Sequence, residues 1–271
     1  MPELPEVETV ARGLNKHVAG DTIESVWLGS KPEPLKSPAE EIVAGLESRT
    51  ISGVRRVGKH IVFDLASSNG GPAKTIQWIV HLGMTGSLRI STPDLPLEKH
   101  THAILKLSSG REVRFVDPRR FGRLSVIEKF AAPGSEPLHI AFKDFAKLFR
   151  KRKTPIKSAL LNQKLLSGVG NIYADEALFR AKVRPRRRAS SLTHEELKRL
   201  HAALKKVLNH AIRLGGSSIS DYVDADGEAG FFQLKHRVYG REGKPCLVCK
   251  TPIKRIVIAG RSSHYCPQCQ N

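Results

Sequence analysis

The residues best suited to covalent chemistry stand at the start of the chain, Met1-Pro2-Glu3-Leu4-Pro5-Glu6. Removal of Met1 would leave Pro2 with a free secondary amine beside the Glu3 carboxyl. Such an amine is a nucleophile, and a neighbouring carboxylic acid can donate a proton. Attack on an aldehyde-level carbon gives an iminium ion with no N–H proton to lose, so the adduct stays cationic at any pH. An ordinary α-amino group, with a pKa of about 8, is only about one-tenth neutral at pH 7. A helix start beside Pro2 lowers that pKa, whereas Glu3 and Glu6 raise it, and the sequence does not decide between them. A plainer reading, in which proline simply opens a helix, uses the same residues.

A second chemistry is carried by thiols. All four cysteines fall in two pairs near the C-terminus, Cys246-x-x-Cys249 and Cys266-x-x-Cys269. Their separation suits one four-thiolate zinc ion, and the Cys-x-x-Cys spacing makes a poor structural disulfide. Four thiolates leave no open coordination position, so the zinc is expected to be structural. They also bring the formal charge of +19 down to about +17 in the metal-bound form.

Other residues point to phosphate and bases. Gly168-Val-Gly-Asn171 joins two expected helices, where close backbone approach and helix-start amides suit an anion, with Asn171 at the N-cap; a plain inter-helix turn reads equally well. His81-Leu-Gly-Met84-Thr-Gly86 places a flexible apolar side chain between glycines on a strand-to-strand loop, either a wedge between bases or a core gap-filler. Asp117-Pro-Arg119-Arg120-Phe121-Gly122 puts a guanidinium and an aromatic at another turn, a pairing that reads base edges and stacks. Lys59, at a further turn, suits a phosphate contact, an activating role or plain surface. Lys157 sits at a helix start, where a cation is disfavoured unless a phosphate compensates. Arg184-Pro-Arg-Arg-Arg188 is the densest basic run and receives no specific role.

The elements that must position these groups follow from periodicity. Val7, Val10, Ala11, Leu14 and Val18 recur at helical spacing, predicting a helix over 5–18. The period then changes to two, with short strands at 23–28, 51–57, 60–65, 75–82, 86–90, 102–107, 112–117 and 122–128, which predicts an antiparallel sandwich. Pro133-Gly134-Ser135-Glu136-Pro137 reads as a linker. Helices follow at 141–151, 156–166, 171–182 and 193–214, the last opened by the capping box Thr193-His-Glu-Glu196. Two short strands, 253–259 and 263–265, make a zinc hairpin with Gly260-Arg261-Ser262 at its tip. The fold class is α+β, in three parts: a sandwich domain over 1–132, a helical domain over 133–230 and a zinc module over 231–271.

Lys plus Arg number 45 against 26 acidic residues. That excess points to a polyanionic partner, nucleic acid before an anionic membrane surface. The absence of a signal pattern or a long apolar run predicts a soluble, non-secreted protein.

Four segments together resemble bacterial formamidopyrimidine-DNA glycosylase: Pro-Glu-Leu-Pro-Glu-Val-Glu-Thr-Val (2–10), His-Leu-Gly-Met-Thr-Gly (81–86), Phe-Val-Asp-Pro-Arg-Arg-Phe-Gly (115–122) and Gly-Val-Gly-Asn-Ile-Tyr-Ala-Asp-Glu (168–176). The cysteine spacing fits as well, and the resemblance spans the chain. It implies a bifunctional base-excision repair enzyme of the bacterial cytoplasm and nucleoid, monomeric and without a membrane partner. The implied substrate is duplex DNA holding 8-oxoguanine, formamidopyrimidines or abasic sites, cut by β,δ-elimination through a Schiff base. By the same resemblance the helical part is a helix–two-turn–helix domain. Pro2 is the implied nucleophile and Glu3 the acid–base group, with Lys59 in the catalytic set and Glu6 a further acidic position near it. Met84, Arg119 and Phe121 fill the gap left by the extruded base, and Arg119 faces the orphaned cytosine. Lys157, Asn171, Tyr239 and Arg261 hold phosphates, and Ser217 to Tyr222 form a flexible lid. About six phosphate contacts predict a slope of log K against log salt near −5.

Ala11 departs from the basic residue that many relatives carry, though Arg12 follows it. The sibling endonuclease VIII usually begins Pro-Glu-Gly-Pro, and Leu4 argues against it. A non-enzymatic zinc-ribbon DNA-binding protein would explain the charge and the cysteines but not Met-Pro-Glu.

Overall fold

The structure, a computed structural model, describes residues 1–67, 76–219 and 222–271. It divides into two compact units, residues 1–131 with 215–230, and residues 132–214 with 231–271.

The first unit opens with helix α1 (Leu4–Val18) and continues through β1 (Ile23–Leu28), α2 (Ala39–Leu46), β2 (Arg49–Val57), β3 (His60–Ser67), β4 (Ile76–His81), β5 (Ser87–Ser91), β6 (Thr101–Leu107), β7 (Glu112–Val116) and β8 (Arg123–Ile127). The strands form two four-stranded sheets, in the orders β1-β6-β7-β5 and β2-β3-β4-β8. Neighbours are antiparallel throughout. Ile61, Phe63 and Leu65 from one sheet and Ala103, Leu105 and Leu107 from the other alternate into a shared core. The apolar stripe of α1 joins that core, with Val7, Val10, Ala11, Leu14 and Val18 all 2% exposed or less. Burial of each large side chain contributes roughly 1.5–3 kcal/mol, which pins the helix and the chain start it carries.

Helix α2 is an element that sequence periodicity did not predict. It is eight residues long and buries only Ile42, Gly45 and Leu46. Residues 215–230 also depart from the expected division, which kept them with the helical domain. They pack with the sandwich because Ala225 is fully buried in its core beside Tyr222, and the Ala225 carbonyl accepts a hydrogen bond from the Ile90 amide at 3.0 Å.

The second unit contains α3 (Phe142–Phe149), α4 (Ile156–Leu161), α5 (Asn171–Ala181), α6 (His194–Arg213) and the hairpin β9 (Lys254–Ile258) with β10 (Arg261–Tyr265). The capping box of α6 forms as expected: Thr193 Oγ1 accepts from the Glu196 amide at 3.2 Å, and the Thr193 amide donates to Glu196 Oε2 at 2.8 Å. Helix α4 stops at Leu161 and does not run on to 166. Gln163 takes over the backbone beyond it, donating to the carbonyls of Leu161 (2.9 Å) and Val169 (2.8 Å) and accepting from the Gly168 amide (2.9 Å). The turn before α5 is therefore held by a side chain whose reach periodicity cannot register. In the basic run 184–188, Arg184 donates to the carbonyls of Gln270 and Pro267, and Arg187 pairs with Glu196. Arg184 and Arg187 are thus tied to other parts of the chain, although Arg184, like Arg186 and Arg188, is exposed and Arg187 is half-buried. Among the described residues, no helix is long and apolar enough to cross a membrane.

Candidate active site

The start of α1 is a knot of carboxylates. Glu3 is the N-cap residue, and its amide donates to Glu6 Oε2 at 2.8 Å within a reciprocal capping box. Both acids are nearly inaccessible, at 5% and 2% exposure, and Pro2 is buried beside them. Met1 is present, so the terminal amine belongs to Met1 and stands in for the amine Pro2 would carry. Burial is the largest influence on that amine and lowers its pKa; Glu3 and Glu6 raise it, while Lys59 and Arg119 lower it further. The balance falls below the ordinary value. Lys59 is itself 9% exposed, on the turn between β2 and β3.

The loops after β4 and β7 lie against each other. Gly83 makes this possible: its φ is +65°, and a Cβ there would stand 2.6 Å from the Phe121 carbonyl carbon and the Gly122 amide nitrogen. Fully buried Asp117 fastens the pair. It accepts from Thr85 Oγ1 at 2.7 Å and from the amides of Arg119 (3.2 Å) and Gly122 (2.7 Å). His81 adds a further tie, its Nδ1 accepting from the Gly83 amide at 3.1 Å. Burial, with His60 and the nearby cations Arg123 and Lys59, lowers the His81 pKa to about 4, which keeps that ring a neutral acceptor. On this base Met84 and Phe121 project with 44% and 52% exposure, and the Arg119 guanidinium lies 4.7 Å from the Phe121 ring centroid. The three residues expected to act as one probe are thus brought together.

Glu6 reaches a third segment. Its Oε1 accepts from the Ser217 amide at 2.8 Å, and its carbonyl accepts from the Tyr222 hydroxyl at 3.2 Å. Gly216 permits the approach, since with φ at +82° a Cβ would lie 2.8 Å from that same oxygen. Burial raises the Tyr222 pKa, so the phenol stays protonated and donating. Of the expected lid, Ser220 and Asp221 lie outside the described residues.

A separate cluster occupies the second unit. Lys157 is fully buried; its Nζ lies 2.7 Å from Asp175 Oδ1 and also donates to the Ser262 carbonyl. Asp175 Oδ2 accepts from the His264 amide at 2.9 Å. Asn171 is the first residue of α5, one place after the N-cap Gly170, and its Nδ2 donates to Ser262 Oγ at 3.3 Å. Arg261 follows the Ala259-Gly260 turn as the exposed first residue of β10. Glu176 accepts from the amides of Arg237, Val238 and Tyr239 at 2.9–3.1 Å, presenting the Tyr239 ring between His236 and His264 at 5.6 and 5.1 Å. Lys157, Asn171, Tyr239 and Arg261 are therefore neighbours, although Lys157 is committed to a carboxylate inside the fold.

The cysteines meet in space. All four sulfurs lie within 4.8 Å of one another, with Cys246 to Cys269 at 3.9 Å and Cys249 to Cys266 at 3.4 Å. A tetrahedral ion with bonds of about 2.3 Å places its sulfurs about 3.8 Å apart, so the set fits zinc. The amides of Val248 and Cys269 point at Cys246 and Cys266 sulfurs at 3.4 Å, as suits thiolates.

Sequence reasoning passed over the buried acids Asp117, Asp175 and Glu176 as working residues. Each lay inside a quoted motif; Asp117 directly precedes a turn proline, a signal that could have found it, whereas Asp175 and Glu176 lie within α5 and carry no such local mark.

Residues 1–124 match the formamidopyrimidine-DNA glycosylase N-terminal domain, 133–223 the formamidopyrimidine-DNA glycosylase H2TH domain, and 243–271 the zinc finger found in FPG and IleRS. The chain is similar to the formamidopyrimidine-DNA glycosylase of Solibacter usitatus, 46% identical with 100% of this chain and 99% of that protein covered. In structure it resembles the MutM (Fpg) protein of Thermus thermophilus, with a TM-score of 0.86, 45% identity and 99% and 98% of the two chains covered. It also resembles Lactococcus lactis Fpg in complex with abasic-site DNA, at TM-score 0.88, 35% identity and 99% of each chain. Sandwich, helix–two-turn–helix and four-cysteine finger in one chain define the class, an α+β DNA glycosylase. Within it, this chain belongs to the formamidopyrimidine-DNA glycosylase family.

Proposed function

We propose that the protein excises oxidised purines, 8-oxoguanine and formamidopyrimidines, from duplex DNA and then cuts the strand by β,δ-elimination, acting as a cytoplasmic monomer. The observation that carries this reading is the half-buried chain terminus, whose amine is depressed in pKa beside two buried carboxylates and a lysine. A neutral amine in a partly dry site is a ready nucleophile.

With Met1 removed, the Pro2 nitrogen attacks C1′ of the damaged nucleotide as the bond to the base breaks, and Glu3 supplies a proton to the departing base or the opening sugar oxygen. The positive iminium carbon makes the C2′ proton acidic. Its loss expels the 3′ phosphate, and a second elimination expels the 5′ phosphate. Met84, Arg119 and Phe121 enter the space the flipped base vacates, at an unstacking cost of a few kcal/mol. Asn171, Tyr239 and Arg261 grip backbone phosphates. Lys157 supports them from behind by holding the Ser262 carbonyl and Asp175. Ser217 and Tyr222 form the base of a segment over the flipped nucleotide, moored to Glu6. One zinc on Cys246, Cys249, Cys266 and Cys269 supplies a cross-link that folds the finger.

Borohydride added during reaction with an 8-oxoguanine duplex is expected to yield a covalent protein–DNA adduct that Pro2→Gly abolishes. Undiminished adduct from Pro2→Gly, or an adduct mapping to another residue, overturns the nucleophile. If the chain binds the duplex without releasing base, the enzymatic reading falls.

A further inference from the structure

The position of Lys59 is not set by its own turn alone. Arg56 is three residues earlier, on β2, with its side chain only 4% exposed. Its Nε donates to Glu8 Oε2 at 2.7 Å, and its Nη1 donates to the Gly58 carbonyl at 3.1 Å. Glu8 belongs to α1, the helix that carries Pro2 and Glu3 at its start, and it also holds Arg12 at 2.7 Å. These guanidinium partners hold the Glu8 carboxyl below its ordinary pKa, against the opposing effect of burial, so the pair stays ionic. One rigid, planar donor set therefore spans two elements: a carboxylate on the helix and the carbonyl immediately before Lys59. Lysine in that place lacks the fork needed to reach both at fixed geometry.

We propose that Arg56 is a positioning residue, which ties α1 through Glu8 to the Gly58 carbonyl and thereby fixes the Lys59 ammonium relative to the chain's terminal amine. The inference rests on the reading of Pro2 as nucleophile and Lys59 as its assistant. It adds a residue that touches no DNA in that reading. Lys59 already acts on the terminal amine through its charge. A charge–charge effect at short range, and any proton or phosphate contact made by the ammonium, depends on separation. Loss of the tether should therefore weaken Lys59 without removing it.

The test is a double-mutant cycle on the full zinc-bound chain with Met1 removed. Single-turnover strand cutting is followed on a duplex with an abasic site, with duplex affinity measured in parallel. Lys59→Met, Arg56→Gln and the double variant are compared with the unsubstituted chain. Arg56→Gln is expected to slow cutting by roughly tenfold or more, a range within that of small misplacements of reacting groups. Affinity should stay within about twofold, because Arg56 is not a phosphate contact. The deciding result is non-additivity: the double variant should cut no more slowly than Lys59→Met alone. Multiplying losses overturn the proposal, as does full-rate cutting by Arg56→Gln. Arg56→Lys, which keeps the charge and one donor, serves the same cycle if the glutamine variant fails to fold, and should lie between the other two. Full activity in Lys59→Met overturns it too, by removing the group the tether is meant to place. An unsubstituted chain that cuts nothing defeats the underlying reading instead, and does so before any variant is compared.

Discussion

At the scale of single residues, the chemistry turns on how much proton the terminal amine holds at neutral pH. Glu3 and Glu6 oppose the needed state, since each stabilises the cation; burial works the other way and is the larger influence. Both carboxylates are partly spent on backbone amides, Glu6 on those of Glu3 and Ser217, which spreads their charge over donors other than the amine. The same surroundings act on Pro2 once Met1 is gone. In the proposed reaction only the neutral amine attacks, and its fraction rises as pH climbs through the pKa; a lowered pKa moves that rise to lower pH. The rate of borohydride-trapped adduct on abasic duplex should therefore reach half its plateau below pH 8, the ordinary value for such an amine being about 8. A midpoint at or above about 8 would mean that the carboxylates outweigh burial. Glu6 also illustrates what a sequence withholds: its type and place were visible at the chain start, but its bond to Ser217, 211 residues away, was not.

Among the elements, the loops after β4 and β7 are fastened into one object by Asp117. The residue is fully buried and answers donors from both loops. Asp117→Asn keeps the shape but turns an amide NH2 toward groups that are themselves donors. One buried N–H or hydroxyl is then left without an acceptor, which costs about 2 kcal/mol. Urea unfolding is expected to report that loss, together with weaker binding to a lesion duplex as Met84 and Phe121 lose register. A change under about 0.5 kcal/mol, the size of an ordinary surface substitution, would show that the loops hold together without it. The strands of both sheets were legible as short apolar runs, with Ile61-Phe63-Leu65 of β3 and Ala103-Leu105-Leu107 of β6 alternating at the sheet period, and each of the eight expected strands is present. Helix α2 was not, being a short segment after a Pro- and Ser-rich stretch with only Ile42 and Leu46 as large buried side chains. The end of α4 was missed for a related reason: Gln163 stops it by polar bonds, and apolar spacing carries no trace of those. The probe and finger residues were legible as types on turns, whereas the buried acids that hold them required tertiary neighbours to be seen.

Across the whole molecule, the formal charge of +19 overstates what is available to a polyanion. Lys157 is the clearest case, fully buried against Asp175 and the Ser262 carbonyl, while Arg261, next to Ser262 in the chain, is exposed. The two lysine- and arginine-type contacts implied by family resemblance should then behave differently in solution. Each phosphate neutralised on B-DNA contributes about −0.9 to the slope of log K against log salt. Arg261→Met is expected to take about that much from the slope and leave thermal stability unchanged, since an exposed side chain makes little contribution to the fold. Lys157→Met should do the reverse: it strands the Asp175 carboxylate in the interior, a loss of about 3–5 kcal/mol, and alters the slope by less than one contact's worth in protein that remains folded. The crossed pattern, read from binding isotherms at several salt concentrations beside melting curves, separates a cation that meets DNA from one that builds the surface meeting it. A full contact's loss of slope in folded Lys157→Met would mean that the ammonium leaves Asp175 for a phosphate when the duplex binds, and that the charge count reaches further into the fold than the ion pair suggests.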